Sequence, residues 1–157
     1  MARHRPALLP LDDDDLAREV LVLQREAYAV EAALIGSDGI PALTETVEQL
    51  RAAGESWLGV FDASGLCGAV AWRLLDDGTV DICRLVVAPR SFRGGVATAL
   101  LDELDRRFPA NAMIVSTGSA NEPALTLYRR RGFHAVRRRE AAPGLEVTEL
   151  ARPATGA

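Results

Sequence analysis

Lysine is absent from this 157-residue chain, and all eighteen basic side chains are arginine. A lysine Schiff base and a phosphate-loop lysine are thereby excluded. Cysteine is almost as scarce: Cys67 and Cys83 make neither a disulfide framework nor a zinc ligand set, and no metal site is expected. With Asp77-Gly78 read as a two-residue hairpin turn, Cys83 falls opposite Trp72 and Cys67 several pairs further along, out of bridging range. Two reduced thiols suit a cytoplasmic location. Long apolar runs are missing, so no membrane-spanning segment is expected. The first fifteen residues carry Arg3, Arg5 and the acidic run of residues 12–15, without the apolar stretch of a secretory signal. The net charge of −4 provides no broad basic face, which argues against a nucleic-acid partner. Internal repeats are also absent.

What remains is an ordinary globular composition. Apolar residues make up 48% of the chain, enough for a sizeable core. The length matches one domain, expected to span residues 1–157. Residues 7–11 read as a first strand. The run of aspartates offers a cap and a negative first turn for a helix over 14–34, where Leu16, Val20, Leu23, Ala27 and Val30 recur at helical spacing. A break at 36–41 precedes a shorter helix from Thr44, stopped at Gly54. Strands follow at 57–61, 67–75 and 79–87, the last two joined at Asp77-Gly78. Then come a helix from Val96 to Phe108, a strand at 113–117, a helix at 123–131 ended by Gly132, strands at 133–139 and 145–150, and a loose tail of seven residues. This order predicts an α+β fold: a mixed, mostly antiparallel central sheet flanked by about four helices.

Two segments carry chemistry. In the first, Leu85, Val86 and Val87 end a strand that feeds Phe92, Arg93, Gly94, Gly95, Val96, Ala97 and Thr98, a glycine turn opening a helix. Such a turn aims several N–H groups at one point, the helix dipole adds positive character, and glycines let phosphates approach the main chain. Arg93 or Arg90 adds charge. In the second, Asn121 is placed to cap a helix on which Tyr128 shares a side with Ala124. Taken alone, Tyr128 reads more readily as an ordinary packing residue.

Together the segments resemble the GNAT acetyltransferase superfamily, from about Thr79 to Phe133. Gly95 and Ala97 match the last two positions of its glycine pattern. Phe92 stands where the family has Gln or Arg, which removes a polar contact and leaves the backbone cradle intact. The resemblance implies acetyl-CoA as co-substrate, held by the residues of the first segment with Asn121 and Tyr128. Residues 85–87 would pair with the pantetheine arm, and a bulge in that strand would aim an N–H at the thioester carbonyl. It implies direct attack of an amine, with a strand N–H polarising the carbonyl and Tyr128 protonating the departing thiolate. The alternative is a non-catalytic acyl-CoA-binding domain acting through a partner protein.

The general base stays open among Glu31, Glu26, Glu45, Asp81 and His134. Glu31 sits in an apolar neighbourhood that would raise its pKa. Asp81 shares a strand face with Cys83 and Leu85. Arg84, on the other face, is expected to pair with a helix carboxylate. The runs 129–131 and 137–139 read as solvated faces or contacts to the cofactor's 3′-phosphate. The cofactor core spans about 79–133, and the acceptor elements about 14–54 and 139–150. Their acids Glu31, Asp38, Glu45 and Glu48 suit a cationic amine of a small molecule or peptide. Exposed closing strands leave a homodimer open.

Overall fold

The computed structural model describes residues 4–35 and 44–155. The break at 36–41, and Asp38 within it, lie outside the described residues. Seven strands form one mixed sheet: β1 (Ala7–Leu8), β2 (Ser56–Asp62), β3 (Gly65–Leu74), β4 (Val80–Val87), β5 (Met113–Gly118), β6 (His134–Ala142) and β7 (Leu145–Arg152), in the order β1-β2-β3-β4-β5-β7-β6. All neighbours are antiparallel except β4 and β5. The described helices are α1 (Asp14–Ile35), α2 (Val47–Ala52), α3 (Val96–Arg107) and α4 (Glu122–Arg130), with a 3₁₀ turn at Pro89–Ser91. The α+β expectation is met.

Local signals account for most of the boundaries. Asp13 caps α1, its carboxylate accepting from the Leu16 N–H at 3.1 Å. The second helix starts later than Thr44. Thr46 and Gln49 form a reciprocal capping box, with bonds of 3.2 and 2.9 Å, which fixes the start at Val47. The first strand shortens to two residues, and Leu9 turns inward instead, buried against Gly59. The tail is tied down in part: β7 runs to Arg152, and the Thr155 N–H bonds Ala110.

The β3–β4 hairpin differs from the two-residue reading. Leu75 N–H bonds the Thr79 carbonyl at 2.8 Å, so residues 76–78 form a three-residue loop with Gly78 at φ 87°. A bulge further along compensates the register. Trp72 faces Ile82 and Ala71 faces Arg84, which leaves Cys83 as the extra residue. Cys83 is therefore not opposite Trp72. Both thiols are free.

In β3, residues 66–72 are all buried, as a strand covered on both faces must be. On one face α3 packs so closely that a Cβ at Gly68 would lie 2.3 Å from Val96, and Phe108 meets Trp72 edge-on at 6.1 Å. Ala17, Val20, Leu21 and Leu23 of α1 are buried in the same core, where α1 packs on β3 and β4.

Candidate active site

The parallel β4–β5 pairing lasts only three residues, from Val80↔Met113 to Ile82↔Val115. The bulge at Cys83 then bends β4, and β5 continues against β7 alone. The two strands splay into a cleft of about 530 Å³, lined by β4, β5, the turn before α3, α3 itself, α4 and the second half of α1. Beyond Ile82 the edge of β4 toward β5 carries no ladder partner, so its backbone groups at 85–87 remain free to pair with an extended ligand.

In the wall of the cleft, α3 begins with Gly95 as its N-cap, at φ 83° and ψ 8°, with no side chain capping the helix. Its first N–H groups have no intrahelical acceptor. A Cβ at Gly95 would meet only the His4 ring, at 4.0 Å. Arg93, at φ 63°, is the only described non-glycine residue with positive φ. Leu85, Val86, Val87, Phe92, Arg93, Gly95, Val96, Ala97 and Thr98 all line the cleft. Gly94 does not. Arg90 is engaged elsewhere, by Asp62 at 3.3 Å and the Leu66 carbonyl at 3.2 Å.

The same cleft is lined by Tyr128, Asn121, Glu31 and Tyr28. Tyr128 is buried, its ring edge-on to Phe133 at 5.5 Å. Burial, with Tyr28 and Glu31 nearby, pushes its phenol well above the ordinary tyrosine value, so it keeps its proton. Asn121 caps α4 by accepting from the Ala124 N–H at 3.3 Å. Burial also raises the carboxyl of Glu31, although the Gly118 N–H and the Asn121 side chain pull it down. α1 and the start of α4 thus meet across the cleft.

Glu31 is the one base candidate that reaches the cleft. Asp81 is a correction: it lies outside the lining and pairs across the hairpin with Arg73 at 3.6 Å. The extra residue at Cys83 breaks the alternation, so Cys83 and Leu85 face the cleft without Asp81. Glu26 and His134 are exposed and do not line it. Glu45 is held by Arg84 and Gln24, bonds that lower its pKa in spite of burial. Arg84 itself reaches the cleft, clamped by Glu45, by Glu55 and by the buried Gln24, above the Trp57 ring at 5.3 Å. The sequence suggested one helix carboxylate for it; Glu45 precedes the α2 cap and Glu55 follows the helix. Tyr28 was missed, although its position three residues before Glu31 puts both on one helical face.

Cys83 also lines the cleft, with its thiol raised to about 11 by burial and by Glu55 and Asp81. It is a protonated group, not a nucleophile. None of residues 129–131 or 139–150 is among the lining. Arg131 is paired with Asp102 and Asp105, both at 2.9 Å, and Arg137 with Glu149 at 3.1 Å.

The model of the Acetyltransferase (GNAT) family matches residues 22–133, which take in α1 from Val22 onward, the splayed strands and α3 and α4. The chain belongs to the GNAT acetyltransferase family. UPF0157 protein YqkA of Bacillus subtilis (strain 168) is 39% identical over 131 residues, covering 83% of this chain. The chain spans only 38% of that relative's length. Among solved structures, the ribosomal-protein-S18-alanine N-acetyltransferase from Escherichia coli aligns with a TM-score of 0.74 and 16% identity, over 99% of this chain and 96% of that one. The PaiA N-acetyltransferase from Thermoplasma acidophilum, solved in complex with coenzyme A, aligns with a TM-score of 0.72 and 16% identity, over 94% and 98%. At these identities the two show a common fold.

The cleft meets the physical requirements of the GNAT co-substrate. Its diphosphate needs unpaired donors and room beside the main chain, which the uncapped start of α3 and Gly95 provide. Its extended amide arm needs a free strand edge, which β4 provides. The GNAT cleft of this chain fits the group. No described helix is long and apolar enough to cross a membrane.

Proposed function

We propose that this chain transfers the acetyl group of acetyl-CoA to a primary amine of a cationic small molecule or peptide, by direct attack. The observation that carries the reading is one continuous cleft lined both by an uncapped helix start and by Tyr128 with Glu31. The N–H groups of residues 95–98 hold the diphosphate, and residues 85–87 hold the pantetheine arm as an added strand. A strand N–H of Val86 or Val87 polarises the thioester carbonyl. Glu31 accepts the proton of the incoming ammonium, a role helped by its raised pKa. The amine nitrogen then bonds to the carbonyl carbon, the carbon–sulfur bond breaks, Tyr128 gives its proton to the thiolate, and the nitrogen's second proton returns through solvent to the phenol oxygen, so that a neutral amide forms and no buried phenolate is left. Because Cys83 stays a thiol, an acyl-cysteine route is disfavoured.

The acceptor class follows from charge. Arg84 lines the cleft and acts electrostatically on Tyr28, and Glu45 and Glu55 already neutralise it. It has no free charge for a substrate carboxylate. With Glu31 added, three carboxylates face one guanidinium, which favours a cationic amine over an amino acid.

A thiol-release screen with diamines, polyamines, aminoglycosides, amino acids and peptide N-termini tests this. Release is expected with the polycations and weaker with amino acids. Coenzyme A binding with no release from any amine overturns the enzymatic reading in favour of a non-catalytic acyl-CoA-binding domain.

A further inference from the structure

We infer that His4 is a positioning residue for the phosphate cradle, acting through the peptide that joins Gly94 to Gly95. This rests on the reading of that turn as the diphosphate site. His4 Nε2 lies 2.7 Å from the Gly94 carbonyl oxygen. A carbonyl only accepts, so this ring nitrogen donates. The peptide is trans, as are all those described; its N–H therefore points opposite to its C=O. Pinning the Gly94 carbonyl on the outer side aims the Gly95 N–H toward the cleft. In agreement, Gly95 lines the cleft and Gly94 does not.

The peptide needs such an anchor. A flip rotates ψ of residue 94 and φ of residue 95, and neither residue carries a Cβ to resist it. Gly95 at φ 83° has an equally accessible conformation at negative φ. Arg93, just before, is held at φ 63°, where a side chain is disfavoured by about 1–2 kcal/mol. The Gly94 N–H bonds the Ser91 carbonyl at 3.2 Å and the Gly95 carbonyl accepts from Ala99 at 2.9 Å, but these bonds flank the peptide and hold neither its own C=O nor its own N–H. The α3 start supplies no side-chain cap to hold it.

His4 is brought there by the opposite end of the sheet. Ala7 and Leu8 pair with Gly59 and Leu58, and the Leu9 N–H bonds the Trp57 carbonyl at 3.0 Å. Leu9 seats deeply because Gly59 has no side chain; a Cβ there would come within 2.7 Å of Leu9. The segment entering β1 thus becomes a strut on the turn, 90 residues away in sequence.

The test is calorimetric titration of coenzyme A into the intact chain and into His4→Ala and His4→Gln. His4→Ala is expected to weaken binding about fivefold, the effect of one hydrogen bond of about 1 kcal/mol. His4→Gln, which retains a donor, should bind within about twofold of the parent. Amide NMR supplies a second readout: the Gly95 N–H resonance should broaden or shift in free His4→Ala and not in His4→Gln. Melting temperatures equal to the parent's exclude general unfolding. If the parent binds coenzyme A and His4→Ala binds equally well or more tightly, the positioning role is overturned and the cleft assignment stands. If the parent fails to bind, both fall.

Discussion

Arg84 and Glu45 form a fork across the cleft floor, Nη2 donating to Oε2 at 3.0 Å, while Nε of the same guanidinium donates to Glu55 at 2.7 Å. All three side chains are at least about seven-eighths buried. Removing the guanidinium leaves two carboxylates without a counter-charge, Glu45 keeping only its bond from Gln24. Arg84→Met is expected to destabilise the fold by about 3–5 kcal/mol at neutral pH, read by urea unfolding. The loss should shrink in acid. Glu45 has a lowered folded pKa, so its contribution is present above its unfolded value and fades as pH falls through the folded one. An unfolding curve for Arg84→Met that overlays the parent's would contradict the clamp.

Glu31 carries the opposite sign. Its folded pKa is raised, so between the unfolded and folded values the native state binds the extra proton. Stability is then lost as pH rises through that window. Glu31→Gln removes the titration, so the variant should be at least as stable as the parent at neutral pH and less dependent on pH. Its kcat should fall by about 10²–10⁴-fold if Glu31 is the base. A melting temperature that drops with unchanged turnover would count against both statements.

Tyr128→Phe isolates one hydroxyl. The ring keeps its edge contact with Phe133, so stability should change little. Loss of a general acid lowers kcat by about 10²–10⁴-fold, with coenzyme A affinity nearly constant. The role is ruled out if the variant keeps more than about half of kcat while chemistry is rate-limiting.

Gly95→Val attacks the cradle itself. A β-branched residue is strained at φ 83°, and its methyls would crowd the His4 ring, 4.0 Å from the Cβ position, so the turn cannot keep the conformation that aims its N–H groups at the cleft. Coenzyme A affinity should fall at least about tenfold, or about 1.4 kcal/mol. Unchanged affinity in a folded variant would remove the phosphates from this turn.

Local chemistry in the sequence determined the order of elements, the capped start of α4 at Asn121, and the glycine turn that opens α3. Each rests on residues within one or two turns of each other, where steric and capping preferences act without the rest of the fold. The cofactor segment was legible for that reason. The surroundings of the reacting centre were not. A three-residue loop in place of two, with one extra residue at Cys83, decided that Asp81 faces Arg73 and not the cleft, because strand faces alternate and a single insertion reverses them. Packing of α1 against the β5–α4 junction brought Glu31 to Asn121. Sheet order alone carried His4 to Gly94 and closed Glu45 and Glu55 on Arg84. Such contacts join positions tens of residues apart, and no periodicity or spacing encodes them; burial of the common core chooses the partners.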